Sequence, residues 1–287
     1  YLQLRYRFKY SFSKSDRSTY DFSNLGEDYF ANVNPVYRGW DSYLNLLEHH
    51  YTDYKDDDLS RYSEYKNYQH QVELMFRMVR PKYQLNAGLM LQPLKSHYIQ
   101  DYQGISVDTT RNVTNFSPTF DFRYRFNKVS NLRINYRATT TQPSMSDLLD
   151  IYDDSDPLNI TTGNPGLKPS FTQRLRLFYN QYWEKTQRAV MTFLNFQTVK
   201  NSISDKVTYD ATTGGRIIRP ENINGNWSLN GAFMFNTPLD SLGNWNINTF
   251  TNLNYNNNVG YVALDQNSSS QKNITKDMTI GERLSGS

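Results

Sequence analysis

Cysteine is absent from the 287 residues, which excludes disulfides, thiolate metal sites and cysteine nucleophiles. No apolar run approaches the ~18 residues that a membrane-crossing helix needs. Hydrophobic residues make up only 37% of the chain, below the roughly 45–50% usual in soluble domains. A mean hydropathy of −0.76 would suit a disordered chain, but disordered chains are poor in aromatics. Here 15% of residues are aromatic, including 23 tyrosines and 16 phenylalanines, so an ordered structure is being built from few aliphatic side chains. A strong charge of one sign is lacking too, and net +3 does not argue for nucleic acid. The four histidines have no HExxH spacing, and neither GxSxG nor a Walker A sequence occurs. No enzyme class, cofactor or metal site is indicated.

What is present is alternation. In "LRYRFKYSFS" and the residues before it, Leu2, Leu4, Tyr6, Phe8, Tyr10 and Phe12 alternate with Gln3, Arg5, Arg7, Lys9, Ser11 and Ser13. A period of two puts the two sets on opposite faces of a strand. The pattern recurs in "YQHQVELMF" (68–76), "YQLNAGLML" (83–91), "FSPTFDFRYRF" (116–126) and "LRINYRATT" (132–140). Further strands are expected over residues 171–183, 189–200, 227–236 and 245–256. The connections alternate as well. Short ones fall at 79–82, 127–130, 184–188 and 237–244, and long ones at 14–64, 100–115, 143–170, 201–226 and from 257 onward.

Such sorting predicts an all-β fold, an antiparallel transmembrane β-barrel with short periplasmic turns and long extracellular loops. Nine or ten strands are a segment of a larger barrel, so residues 1–287 are expected to be part of one barrel domain. The aromatic-aliphatic face would meet outer-membrane lipid and the polar face a lumen, because only a closed barrel lets strands cross a bilayer with every backbone group paired. The competing reading is a soluble antiparallel sheet with one buried face.

The stretch "TTTQPSMSDLLDIYDDSDPLNITTGNPGLKPSFTQRLRLFY" (139–179) resembles the outer-membrane β-barrel family of Bacteroidota, relatives of TonB-dependent receptors. The residues that carry the resemblance are Gln142, Pro143 and Ser144, then Asp147 and Leu148, then Asp156, Pro157 and Leu158. Gly163, Asn164 and Pro165 follow, then Leu167, Lys168 and Pro169. "KYQLNAGLMLQP" (82–93) resembles the same family's third-strand motif. The resemblance implies a Gram-negative outer-membrane location and uptake of a solute. It also implies two partners, a plug domain within the barrel and the energising protein TonB, with a surface lipoprotein as a further candidate. Plug and regulatory domains are not among these residues. Independently of the family, the four prolines forbid a regular ladder in the loop, and its Gly, Asn and Asp residues supply turns. That describes a shaped loop, either a structural clasp or a gate.

The polar face is basic: Arg5, Arg7, Lys9, Arg123, Arg125, Arg133, Arg137, Arg174 and Arg176, against one clear acid on the same strands, Asp121. So many cations need an acidic plug surface, water or an anionic solute. Stacking on single-stranded nucleic acid is disfavoured, since the aromatics lie on the other face. The loops have the opposite sign: residues 14–64 hold eleven Asp/Glu against five Lys/Arg. The densest runs are "DYKDDD" (53–58), which coincides with the start of a common epitope tag, and "DIYDDSD" (150–156). Neither has EF-hand spacing, so both read as solvated acidic loop. Three functions are open at this point: a transporter wall, a barrel serving adhesion or assembly, and a soluble glycan-binding β-protein.

Overall fold

The computed structural model describes residues 1–26, 28–33, 39–102, 104–148, 152–153, 158–209, 214–240, 244–262 and 270–286. Along the chain run β1 (Leu2–Tyr20), β2 (Lys55–Val79), β3 (Tyr83–Tyr102), β4 (Ile105–Arg125) and β5 (Asn131–Thr141). After them come α1 (Met145–Leu148), β6 (Tyr152–Asp153), β7 (Asn159–Thr162), β8 (Ser170–Trp183) and β9 (Arg188–Lys200). The last are β10 (Ser202–Tyr209), β11 (Arg216–Ile223), β12 (Asn226–Pro238), β13 (Asn246–Val262) and β14 (Gln271–Gly286). Ten strands form one sheet in the order β1-β2-β3-β4-β5-β8-β9-β12-β13-β14, and four form a second, β10-β11-β7-β6. Consecutive strands of the large sheet are sequence neighbours, apart from the excursions that make the small one.

The chain divides into two compact units. One comprises Tyr1–Tyr6, Val72–Leu91 and Asn115–Ser287, the other Arg7–Gln71 and Gln92–Thr114. In the first unit the strand registers align side chains into rows across six or seven strands. One row runs Phe120, Tyr136, Leu175, Phe196, Leu229, Tyr255 and Met278. The next runs Phe122, Ile134, Leu177, Leu194, Gly231, Leu253 and Ile280, and a third includes Tyr124, Leu132, Tyr179 and Phe233. The intervening residues form polar rows on the other face.

These apolar rows are not a core. Leu175, Leu194 and Phe196 are exposed, and Met278 and Ile280 remain 60% and 61% exposed. The buried apolar side chains among the described residues are Tyr98, Ala138, Leu148, Leu167, Ile223 and Val259. A soluble protein rarely leaves so large a contiguous apolar surface open to water. Three rows at two-residue spacing, bordered by further aromatics such as Trp227, Phe126 and Phe235, give an apolar band of the height a bilayer needs. Trp227 stacks on Tyr255 at 4.8 Å and lies 6.0 Å from Phe196, an aromatic cluster at one border of the band.

In the second unit the outer parts of β1–β4 continue as ladder well past any membrane-spanning length. Phe8 packs on His70 and Tyr10 on Tyr68, each at 5.0 Å. Tyr98 is buried and donates to Gln100. The connection between β1 and β2 carries a cluster of aromatics, Phe22, Phe30 and Tyr43, that hold one another edge to face.

Four expectations are corrected. Residues 100–115 are not a long loop: β3 runs to Tyr102 and β4 begins at Ile105, with Gly104 at φ +70. Residues 14–64 are partly ladder, since β1 reaches Tyr20 and β2 begins at Lys55, inside the acidic "DYKDDD" run. Residues 201–226 hold the β10–β11 hairpin, and the chain after residue 257 completes β13 and adds the tenth strand, β14. The reason is common to the first two. Beyond the bilayer both faces of a strand meet water, so a ladder can continue with no hydrophobic period to announce it.

Candidate functional site

Across the polar face of the first unit, register brings the predicted cations together. Thr119, Arg137, Arg174, Gln197 and Ser228 share one row, and Asp121, Asn135, Arg176, Asn195 and Asn230 the next. Arg123, Arg133, Phe178, Phe193 and Ala232 follow, then Arg125, Asn131, Asn180, Met191, Met234, Phe250 and Arg283. Arg137 therefore stands directly opposite Arg174, and Arg123 opposite Arg133. Like charges at that separation, about 5 Å between Cβ atoms, repel.

Some of this charge is compensated. Arg133 donates to Asp121 Oδ2 from Nε at 3.2 Å and from Nη2 at 3.0 Å, and Asn135 donates to the same oxygen at 3.3 Å. Arg174 gives its fork to Gln197 Oε1, at 3.0 and 2.5 Å. Arg5 pairs with Glu73 at 3.3 Å, an acid the sequence does not single out because its strand, β2, carries no cation in the basic set. Among the described residues Arg123, Arg125, Arg137 and Arg176 make no ion pair, nor do Arg7 and Lys9 in the second unit.

The loop motif is assembled into the small sheet, against the expectation that its prolines forbid a ladder. β6 and β7 lie within the loop, because Pro143, Pro157, Pro165 and Pro169 all fall outside the two strands. Ser144 and Asp147 cap α1 reciprocally: the Asp147 N–H donates to Ser144 Oγ at 3.1 Å, and the Ser144 N–H to Asp147 Oδ2 at 3.3 Å. This is a capping box with an aspartate in the acid position. Gln142 donates to Asn115, Pro143 and Gly163 are buried, and the Asn164 N–H donates to the Asp147 carbonyl at 2.5 Å. Asn164 then accepts from the Gly166 N–H at 3.0 Å and donates to the Pro220 carbonyl at 2.9 Å, tying the turn around Pro165 to β11. Leu167 is 3% exposed, against 8% for Leu148 and 60% for Leu158, so the first two are packed and the third is not. Asp156 and Pro157 lie outside the described residues.

Three asparagines that the sequence does not announce complete the fastening. Asn222 accepts from the Lys168 N–H at 2.7 Å and donates to the carbonyls of Lys168 and Asn201, both at 3.0 Å. Asn224 accepts from the Asn201 N–H at 2.7 Å, and Asn201 donates to the Pro169 carbonyl at 3.4 Å. Asn226 accepts from the Val259 N–H at 2.7 Å. Gly225 sits at φ +121 against Val259, where an added Cβ would lie 2.8 Å from Val259 Cγ2. The available signal was the asparagine-rich "ENINGN" (221–226), but its partners are 20 to 60 residues away. These bonds fasten the loop to the small sheet.

Two concavities are notable. On the polar face of the first unit, a pocket of about 590 Å³ is lined by Met191, Met234 and Phe250, with Asn180, Arg283 and Ser285 at its margin. In the second unit a polar cavity of about 450 Å³ lies between Asp16, Lys55, Arg61, Asp101 and Tyr102. There the Arg61 guanidinium rests 5.3 Å over the Tyr102 ring, and Lys55 pairs with Asp57 at 2.8 Å. The hydrogen bond and charge of Asp57 hold the Lys55 ammonium above its ordinary pKa. Asp56, in the same acidic run, spends its carboxylate on the N–H groups of Asp58 and Leu59 at 2.9 and 3.0 Å. Among the described residues no three His, Asp or Glu side chains gather as a metal site.

No curated protein matches the chain. Among solved structures it is similar to the siderophore receptor PirA from Pseudomonas aeruginosa, at 12% identity and TM-score 0.41, covering 79% of this chain and 52% of that one. It is also similar to the ferric enterobactin receptor of Pseudomonas aeruginosa, at 10% identity and TM-score 0.40, covering 89% and 41%. A third is the siderophore receptor PirA from Acinetobacter baumannii, at 9% identity and TM-score 0.38, covering 99% and 53%. The chain thus spans about half the length of the solved structures it matches. Residues 8–281 match the outer membrane protein beta-barrel family, nearly the whole sequence. The chain belongs to that outer-membrane β-barrel family.

Proposed function

We propose that this chain is part of the barrel wall of a TonB-dependent-type transporter from a member of the Bacteroidota, taking up a solute and catalysing no reaction. The apolar rows face lipid, and the arginines of β4, β5 and β8 face an acidic plug surface within the lumen. One observation carries the reading. Arg123 faces Arg133 and Arg137 faces Arg174 across the ladder, while Asp121 is the one acid paired among them. Such an arrangement is costly unless anionic groups arrive from outside the wall. Arginine's planar fork favours carboxylates, which a folded plug can hold at fixed positions.

The test replaces Arg123, Arg125 and Arg133 together by glutamine in the complete protein. Loosening of the plug should give leak of small solutes, with the barrel still folded and ligand capture at the outer loops unchanged. Collapse of ligand affinity without leak would instead make these arginines a path for an anionic solute. No change in either would reduce them to solvated wall.

A further inference from the structure

The polar face is not polar throughout. On β8, β9, β12 and β13 the alternation carries Phe178, Met191, Phe193, Met234 and Phe250 onto the same face as the arginines. All five lie in two adjacent rows, the rows nearest the short connections 184–187 and 239–245. Met191 and Met234 are 41% and 44% exposed, so nothing described here covers them. These rows are separated from the lipid-facing rows by the sheet itself. The row of Met191, Met234 and Phe250 lines the pocket of about 590 Å³, a volume in the ordinary range for small-molecule sites.

The polar groups at the margin are unequal. Asn180 is committed, donating to the Val129 carbonyl at 2.6 Å and accepting from the Asn131 N–H at 3.2 Å. Asn236 and Asn248 are bonded to each other. Arg283, directly opposite Phe250 in the ladder, makes no side-chain hydrogen bond or ion pair among the described residues. A flexible methionine-aromatic floor with one uncommitted guanidinium at its edge matches a ligand of two parts. We propose that this pocket binds a small carboxylate with an apolar body, the body lying on Met191, Met234 and Phe250 and the carboxylate on Arg283. The proposal rests on the reading that this face lines the lumen, and it gives that lumen a substrate class.

Benzophenone inserts readily at methionine C–H bonds, so 4-benzoylbenzoate is a suitable photoprobe, with its methyl ester as the uncharged control. The complete protein is irradiated with each in nanodiscs and the labelled positions are read by peptide mass spectrometry. Met278, on the lipid-facing side, reports partitioning through the bilayer. The acid should label Met191 and Met234 saturably, and decanoate should compete. In Arg283→Gln, the half-saturating concentration of the acid should rise at least about 10-fold, as for loss of a charge-assisted bond. The ester should be unaffected, and the folded barrel's heat-modifiable mobility should be retained. Equal labelling by acid and ester, or labelling of Met278 alone, overturns the proposal. A Met234→Cys variant separates the two levels of the argument. A cysteine there that reacts with an aqueous maleimide but sits in a protein giving no saturable label sinks the ligand and keeps the lumen. One that reacts with a lipid-dissolved reagent instead sinks the lumen reading itself. One closed to both reagents, with no label, means a protein segment fills the patch, which also overturns the ligand.

Discussion

In the ten-stranded sheet, the side chains that a soluble protein would bury are left at the surface, whole rows of them from Phe120 to Met278. In the four-stranded sheet and its loop the reverse holds: Leu167 and Ile223 are buried, and the side chains of Asn222 and Asn224 bond the backbone of Lys168 and Asn201. Both satisfy their main-chain groups, the first by ladder and the second by ladder plus side chains. They differ in where the apolar stabilisation comes from. The large sheet leaves it to the surrounding bilayer, which costs nothing to sequence length but binds the fold to its solvent. The small sheet supplies its own and behaves as a soluble element does. A substitution should therefore be judged by which of the two media surrounds it.

The largest effect is expected where the small sheet is densest. Leu167→Asp would put a carboxylate with no partner into the most enclosed position of the motif loop, at a cost of about 4 kcal/mol. The loop should open to added protease while the barrel keeps its heat-modifiable mobility. Loss of the whole barrel would mean that the two sheets fold as one and that the comparison is false. Next is Leu177→Arg in the middle apolar row, expected to cost about 2–4 kcal/mol at the bilayer midplane. Refolding titrations into lipid vesicles measure it, and a cost near zero would take the apolar face out of the hydrocarbon. The smallest effect concerns the exposed connection after β1. Asp21 has its carboxyl held below the ordinary range, first by the Ser23 N–H at 2.8 Å and then by the Ser23 hydroxyl at 2.9 Å. A depressed carboxyl stabilises above its ordinary pKa and loses that contribution as pH falls through the lowered value. The protection of the Ser23 amide, its exchange relative to the intrinsic rate at the same pH, should accordingly fall only in acid, and Asp21→Asn should remove that pH dependence.

How much of this could be read from the residues follows the same division of media. Where a strand has lipid on one side and water on the other, as in Leu2–Phe12 or Phe116–Phe126, the period of two is plain in the sequence. Where both sides are wet, as in Lys55–Arg61 and Gln92–Tyr102, the ladder persists and the period does not. β14 was hidden for a related reason, since Lys272, Lys276 and Glu282 interrupt the set Ile274, Met278, Ile280 and Leu284 on one of its faces. The basic face was legible because each of its arginines sits beside an aromatic or aliphatic residue within its own strand. That Arg123 opposes Arg133, or that Arg5 finds Glu73, depends on register, which the hydrophobic pattern does not encode to the residue. The apolar patch was hidden more deeply. Phe178, Met234 and Phe250 each look like one irregularity in one strand, visible as "LFY" (177–179) and "FMF" (233–235), and become a surface only when the ladder aligns them. In the loop, the family motif marked Ser144, Asp147, Asn164 and Leu167, while Asn222 and Asn224, which bond the backbone of Lys168 and Asn201, lie elsewhere in the chain.

The most direct test is a spin-label scan along β13, one position at a time from Ile247 to Asn256, in the complete protein in lipid. Collision with oxygen reports the bilayer and collision with a water-soluble nickel chelate reports the lumen. Oxygen access is expected at Ile247, Thr249, Thr251, Leu253 and Tyr255, and chelate access at Asn248, Phe250, Asn252, Asn254 and Asn256. Phe250 is the discriminating position, because hydrophobicity alone would send it to lipid. Chelate access at Phe250 alongside its asparagine neighbours supports the two faces as drawn, whereas oxygen access there, or one uniform response along the strand, would contradict them.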